Sequence, residues 1–472
     1  MKKKFITTAI AYTNTEPHIG FLFELLSADI LARFYKNKGE KVFFLTGTDE
    51  HGTKVAKKAE EAGQEPQEFV DRISDSFRSL GKDFNIDFDY FVRTTDPGHK
   101  KFVSEAWAKL QEAGYLEKRQ YTGYYCSGCE AFKTERELKD GKCLIHEIPV
   151  EKIEEENWFF TLTKFKEPLL KWLETEPIQP VSRGNEIREL IKSGLEDVSF
   201  SRHVSKLSWG VPVPGDETQV MYVWADALLN YLSGPVLSGE KLEEVWPADI
   251  QIIGKDILRF HALIWPAILT ALGYELPKKL VVHGFINSDG KKMSKSLGNV
   301  ISPKELLERY GADGTRYLLF RQLNYYEDSN FVWSEVDSLY NGELANGLGN
   351  LVARTVSLLS SFKDAGIEVD KIVESAISGP AVDSRLDVLN FAEPLEIAND
   401  KINQADGWIT KEQPWTWKKT DTLTEEKVEA LVRETHLPEI SAVLLPYIPD
   451  TAEKIIAQLK SLKSEPLFPR LK

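Results

Sequence analysis

Cysteine is scarce: the 472 residues hold three, an odd number, all between positions 126 and 143. That argues against a disulfide framework and leaves a small cluster of thiols for another task. No apolar run approaches the length of a membrane span. The opening Lys2-Lys3-Lys4 and the stretch 5–12 superficially resemble a secretion signal, but threonines break the apolar part and Asn14, Glu16 and Pro17 follow at once. A cytoplasmic protein with no membrane partner is the expectation. A basic surplus is missing too, since 59 Lys+Arg face 73 Asp+Glu for a net charge of −14. No protein-wide field therefore draws in nucleic acid, and an RNA partner would have to meet local basic patches in a salt-sensitive way. Internal repeats and low-complexity tracts are also lacking. What remains, 42% hydrophobic and 28% charged, is ordinary globular protein with length for two to four domains.

The stretch that organises the chain is its first strand-to-helix turn, Ala9-Ile10-Ala11-Tyr12-Thr13-Asn14-Thr15-Glu16-Pro17-His18-Ile19-Gly20. Residues 5–12 are short and apolar, as in a buried strand. A helix should start near His18, because Ile19, Leu22, Leu26, Ile30 and Phe34 recur at helical spacing. Unpaired N–H groups at such a start attract anions, and Gly20 lets a ligand approach closely. Taken alone, a His at a helix start is more often a cap or a surface residue than a catalyst. Far downstream, Lys291-Lys292-Met293-Ser294-Lys295-Ser296 lies between Gly290 and Gly298. This is a glycine-flanked loop of point charges suited to a triphosphate.

Between these stretches the pattern is that of an α/β protein with a doubly wound, Rossmann-like parallel sheet. A strand at 42–45 runs into the polar loop Thr46-Gly47-Thr48-Asp49-Glu50-His51-Gly52, and helices are expected near 53–62, 66–84 and 99–113, with a further element near 89–93. An insertion, 114–219, interrupts the sheet and carries Cys126-Ser127-Gly128-Cys129 and Cys143-Leu144-Ile145-His146. Three thiolates and one imidazole in two knuckles make the closed tetrahedral set of one structural zinc ion; the alternative is three buried thiols. The sheet is expected to resume near Val220, with a strand Met221–Trp224, a strand and turn over 250–256, a helix 257–272 bearing Phe260, His261 and Trp265, and a strand at 281–285. Ser302 and Pro303 read as a helix start. Long amphipathic helices follow from about Ser334, and Leu344 onward reads as a separate bundle.

The His18 turn and the lysine loop together resemble the paired nucleotide signatures of class I aminoacyl-tRNA synthetases. The residues around them narrow the resemblance to the methionyl-tRNA synthetase family over essentially the whole chain. That resemblance implies activation of L-methionine with ATP, release of pyrophosphate and charging of tRNA(Met) bearing a CAU anticodon. It implies catalytic roles for His18, Lys292 and Lys295, and ATP contacts by these with Gly20, Phe21, Gly254, Asp256, Met293, Ser294 and Ser296. The methionine pocket would comprise Ile10, Tyr12, Asp49, Trp224, Tyr231, Phe260, His261 and Trp265. Anticodon reading would fall to Asn350, Arg354 and Trp415; alone, these read as an exposed Asn and Arg and a structural Trp. One zinc ion would sit on Cys126, Cys129, Cys143 and His146, and Mg2+ would accompany ATP.

Two positions depart from the family pattern: Phe21 stands where a second His is usual, and Ile10 where Leu is usual. The short insertion differs from the large editing insertion of the leucine, isoleucine and valine enzymes. A small-molecule nucleotidyltransferase with the same His-x-Gly turn would need no helical bundle. The expected division is 1–113 and 220–288 as halves of the catalytic domain, 114–219 as the zinc-bearing insertion, 289–343 as lysine loop and stem-contact region, and 344–472 as the α-helical anticodon domain. With no further module after the bundle, a monomer is expected.

Overall fold

A computed structural model describes residues 2–126, 131–133, 135, 138–144, 147–293, 298–377 and 384–471. The chain divides into two compact units. The first comprises 1–17, 41–82 and 87–283, the second 18–40, 83–86 and 284–472.

The first unit is built on a seven-stranded sheet. Its strands are β1 (Lys4–Thr8), β2 (Ala11–Tyr12), β3 (Val42–Asp49), β4 (Tyr90–Arg93), β5 (Ile178–Gln179), β6 (Ile250–Gly254) and β7 (Leu280–His283), and every pairing among them is parallel. The order is β5-β7-β6-β1-β3, with β2 and β4 also pairing with β3. All residues of β3, β6 and β7 are buried, which explains why they read as near-continuous apolar runs: a parallel sheet is covered on both faces. From β1 the chain winds outward through β3 and β4, whereas β6 and β7 continue on the other side of β1. The winding therefore reverses between β1 and β6, and the crevice at their carboxyl ends is where sheets of this class hold ligands.

Three expectations about this unit need correction. The insertion is not wholly outside the sheet, because Ile178 and Gln179 pair with Leu280 and Val281. After Ile178–Gln179 the next strand of the sheet begins at Ile250 rather than near Val220, since the strand Asp216–Met221 belongs to a separate three-stranded sheet. The expected strand Met221–Trp224 stops at Met221 and turns at once into the helix Val223–Ala227, with the Ala225 and Asp226 N–H groups donating to the Tyr222 carbonyl at 2.9 and 3.3 Å. A four-residue apolar run does not distinguish strand from buried helix. The rest of the insertion carries a four-stranded sheet around the long antiparallel pair Leu116–Cys126 and Glu151–Phe160.

In the second unit, helix Ile19–Asn37 stacks Phe23 on Phe320 of helix Pro303–Gln322, with ring centroids 4.9 Å apart. Ser302 and Glu305 form the reciprocal cap that starts the latter helix, with Pro303 in its first turn. The fully buried Arg316 donates to Asp29 Oδ2 at 2.6 Å and to the Tyr447, Pro446 and Phe84 carbonyls, so one guanidinium ties four segments together. Beyond Phe331 every regular element among the described residues is a helix, from Trp333–Leu339 to Pro449–Ser461. Among the described residues no helix is long and apolar enough to cross a membrane.

Candidate active site

His18 caps helix Ile19–Asn37: its backbone is extended (φ −131°, ψ 170°), and the Gly20 N–H donates to its Nδ1 at 3.0 Å. An imidazole nitrogen that accepts a backbone N–H is unprotonated, so the neutral ring carries its proton on Nε2 and is a donor there. Gly20 makes this possible, because a Cβ at that position would lie 2.9 Å from His18 Cε1 and 3.0 Å from Nδ1. The cap reading and the phosphate reading of His18 are thus compatible, since capping uses only Nδ1. Phe21 is half-buried one residue on.

Gly254 and Asp256 stand at the carboxyl end of β6 in the first unit, where the Asp256 carboxylate folds back over the glycine; a Cβ at Gly254 would come within 2.7 Å of it. The lysine loop belongs to the second unit. Lys291–Lys292 forms a short strand against Asn287–Ser288, and Met293 is half-buried, while Ser294, Lys295 and Ser296 lie outside the described residues.

The residues expected around methionine all fall in the first unit. Trp224 and Phe260 stack face to face, centroids 4.0 Å apart and planes within 6°. His261 meets Trp224 edge-on at 5.9 Å, and Tyr231 packs against both His261 and Trp265, at 5.7 and 5.5 Å. A departure from regular helix geometry brings these side chains together. Residues Phe260–Ile264 form a π-helical turn in which the Trp265 N–H donates to the Phe260 carbonyl. Pro266, lacking an N–H and crowding the carbonyl four residues earlier, is the physical reason for the wide turn.

Hydrogen bonding fixes the protons of this cluster. His261 Nδ1 lies 3.0 Å from the Ile257 carbonyl, which only accepts, so Nδ1 carries the proton. Nε2 is then the acceptor for the Tyr231 hydroxyl at 2.7 Å. Burial holds the His261 pKa down to about 4 against the opposing pull of the Ile257 carbonyl. The cluster therefore presents aromatic faces and an uncharged imidazole.

Asp49 ends β3 and is buried; Tyr12 is its partner across the β2–β3 pairing, and both the N–H and hydroxyl of Thr13 donate to the Asp49 carbonyl, at 3.0 and 3.1 Å. Ile10 and Tyr12, like Trp224 and Phe260, pack partly buried against the core that contains Tyr231 and Trp265. The residues following Asp49 are anchored independently. Glu50, fully buried, accepts both Nε and Nη2 of Arg93 at 2.7 and 2.9 Å, with Thr48 and Thr95 hydroxyls completing its shell. His51 donates to Asp226, and Trp209 Nε1 donates to the Glu50 carbonyl at 2.6 Å. Sequence reading did not single out Glu50, His51, Arg93, His99, Asp226 or Trp209. The charged loop after β3 was the only signal, and their partners come from distant segments.

In the second unit, Asn350 is exposed and Arg354, one turn along helix Asn350–Asp364, donates to Asp406 at 2.7 Å. Trp415 is 46% exposed in the turn Pro414–Thr416. The structural-Trp reading belongs instead to Trp417, which is buried and stacked on Phe362 at 5.7 Å. Of the expected zinc ligands, Cys126 and Cys143 are buried, while Cys129 and His146 lie outside the described residues.

The family model for tRNA synthetases class I (M) matches residues 4–143 and 133–356. The methionine–tRNA ligase of Caldanaerobacter subterraneus subsp. tengcongensis is 41% identical over 475 residues, covering 97% of this chain and 74% of that protein. The enzyme of the same name from Rickettsia conorii is 41% identical over 483 residues, 99% of this chain and 94% of its own length. Among solved structures, Mycobacterium tuberculosis methionyl-tRNA synthetase in complex with methionyl-adenylate superposes with a TM-score of 0.88 at 34% identity, covering 100% of this chain and 99% of that one. The apo form of that enzyme gives 0.82 at 31% identity.

Proposed function

This chain belongs to the methionine–tRNA ligases of the class I aminoacyl-tRNA synthetase family, and from that premise we infer what its residues do. The reaction activates L-methionine with ATP and charges tRNA(Met). The methionine carboxylate attacks the α-phosphorus, the bond to pyrophosphate breaks, and methionyl-adenylate forms. A ribose hydroxyl at the tRNA end then attacks the carbonyl carbon and AMP leaves. Both reactants of the first step are anions, so the protein's work is orientation and charge neutralisation rather than nucleophilic attack.

Methionine is held by Ile10, Tyr12, Trp224, Tyr231, Phe260, His261 and Trp265, with its ammonium on Asp49. The observation that carries this reading is the ring cluster with its fixed, uncharged imidazole: stacked aromatic faces suit a polarisable thioether, and a cationic ring there would not. His18 Nε2–H, Gly20 and Phe21 serve ATP, with Lys292, Met293, Ser294, Lys295 and Ser296 neutralising the departing pyrophosphate. Gly254 and Asp256 approach the adenylate, and Mg2+ accompanies ATP. Asn350, Arg354 and Trp415 read the CAU anticodon. Residues 1–113 and 220–288, with Ile178–Gln179 returned to the sheet, form the activating domain. The segment 114–219 is the insertion, 289–343 carries the lysine loop and stem contacts, and 344–472 holds the anticodon. A cytoplasmic monomer is part of this reading.

The pocket is tested by Trp224→Ala. Loss of the face-to-face stack is expected to raise the methionine KM in ATP–pyrophosphate exchange at least tenfold while the ATP KM stays within twofold. Equal changes in both would remove Trp224 from the pocket.

One structural zinc ion fits the insertion. Cys126 and Cys143 are 0% and 1% exposed, and Leu144, next to Cys143 in the chain, is 54% exposed, so both thiols are withdrawn from water while that apolar side chain is not. Cys126, Cys129, Cys143 and His146 would hold the ion and leave no open position, so it stabilises the insertion without taking part in activation. Elemental analysis of freshly purified protein should find about one zinc per chain, and Cys143→Ser should lower both zinc content and the insertion's resistance to proteolysis. Metal-free protein with an equally resistant insertion would contradict this.

A further inference from the structure

Asp226 is 1% exposed and its two carboxylate oxygens are used separately: Oδ2 accepts from His51 Nδ1 at 2.6 Å, Oδ1 from His99 Nε2 at 2.9 Å. The other nitrogen of His99 meets the Ser233 hydroxyl at 2.7 Å. His51, His99 and Ser233 are themselves buried. Three segments distant in sequence converge here: the loop after β3, helix Pro97–Glu112 and the stretch from Val223 to Leu237. A buried charged set of this kind is no efficient source of stability, since well-packed apolar residues of similar volume usually do as well or better. What it supplies is fixed direction.

The sequence positions of its members give that direction a use. His51 is two residues beyond Asp49, and Asp226 is two residues beyond Trp224. We propose that Asp226 is a positioning residue of the methionine pocket, tying through His51 the loop that presents Asp49 to the segment that presents Trp224, with His99 bracing the carboxylate from the helix behind. The proposal rests on the assignment of Asp49 and Trp224 to methionine. Burial alone would push the Asp226 carboxyl up, but the two imidazoles outweigh it and hold its pKa down to about 2, so the anion persists throughout the working range. Another anchor of the loop, Glu50 on Arg93, ties it to β4 rather than to the Trp224 segment.

The test compares methionine and ATP KM values in pyrophosphate exchange. Asp226→Asn keeps size but turns an N–H donor toward one of the two imidazole N–H groups. The methionine KM is expected to rise at least tenfold, with the ATP KM within twofold and kcat within threefold. A second pair of variants covers the case in which Asp226→Asn does not fold. His51→Asn sets its amide nitrogen where Nδ1 stands, keeping an N–H donor for Asp226, and is expected to stay within threefold of the native methionine KM. His51→Leu has no donor and is expected to lose at least tenfold. Equal effects of the two His51 variants, or parallel rises in both substrate KM values, would overturn the proposal. If Trp224→Ala raises the methionine KM and His51→Leu does not, positioning by Asp226 fails while the pocket stands. If Trp224→Ala has no effect either, both fall together.

Discussion

Asp49→Asn is expected to reduce kcat/KM for methionine in pyrophosphate exchange on the order of a hundredfold or more, nearly all of it through methionine. Asp49 is 5% exposed, and an ammonium group drawn into that setting has its charge compensated by this one carboxylate. Removing one partner of a buried pair leaves an uncompensated charge at a cost of ~3–5 kcal/mol. Asparagine preserves volume, and the backbone of residue 49 is held by Thr13 and by the β2–β3 pairing. The variant should therefore fold, with a melting temperature close to native. The check is exchange kinetics with methionine and ATP varied in turn. A variant equally impaired toward both substrates would place Asp49 in the fold's scaffolding rather than against the ammonium.

The second large effect separates activation from tRNA charging. Trp415→Ala should leave methionine-dependent exchange within about twofold and greatly weaken aminoacylation of tRNA with a CAU anticodon. One base–aromatic stack is worth ~1–3 kcal/mol, on the order of ten- to a hundredfold in affinity. The structure makes this substitution informative, because Trp415 is 46% exposed while Trp417, two residues on, takes the core position. Trp417→Ala, by contrast, should lower stability. Lys295→Ala should show the opposite profile to Trp415→Ala: exchange falls steeply as the charge developing on pyrophosphate loses its counter-charge, while tRNA binding survives. Both variants need assay in both reactions at one ionic strength, since tRNA contacts on a chain of net charge −14 are strongly salt-dependent. Equal losses in both assays for Trp415→Ala would make that residue structural and take the main support from the anticodon assignment.

Much of this was legible in the sequence because the signals were local. Fully buried parallel strands are short apolar runs, and β3 and β6 were read that way. A helix that begins at a cap declares itself, as at His18 and at Ser302-Pro303 with Glu305. The bends were less visible. Met221–Trp224 reads as a strand because four apolar residues carry no period long enough to reveal the turn at Tyr222. The helix after β6 reads as regular, although Pro266 within it marked the π-helical turn that gathers Phe260, His261 and Trp265. Least visible were residues whose role depends on a distant partner. Asp226 looks like a solvated acid in a helix start until His51 and His99 are placed on it. Glu50 and Arg93 likewise mean little 43 residues apart. Such pairs have no spacing rule, so only the fold reveals them.

The central claim is that the ring cluster and Asp49 select methionine for activation. ATP–pyrophosphate exchange by the native protein, measured with each of the twenty amino acids at equal concentration, tests it most directly. The account predicts exchange with methionine far above every other amino acid. Exchange driven better by another amino acid, or no exchange with any under conditions where the protein is folded and binds ATP, would contradict it.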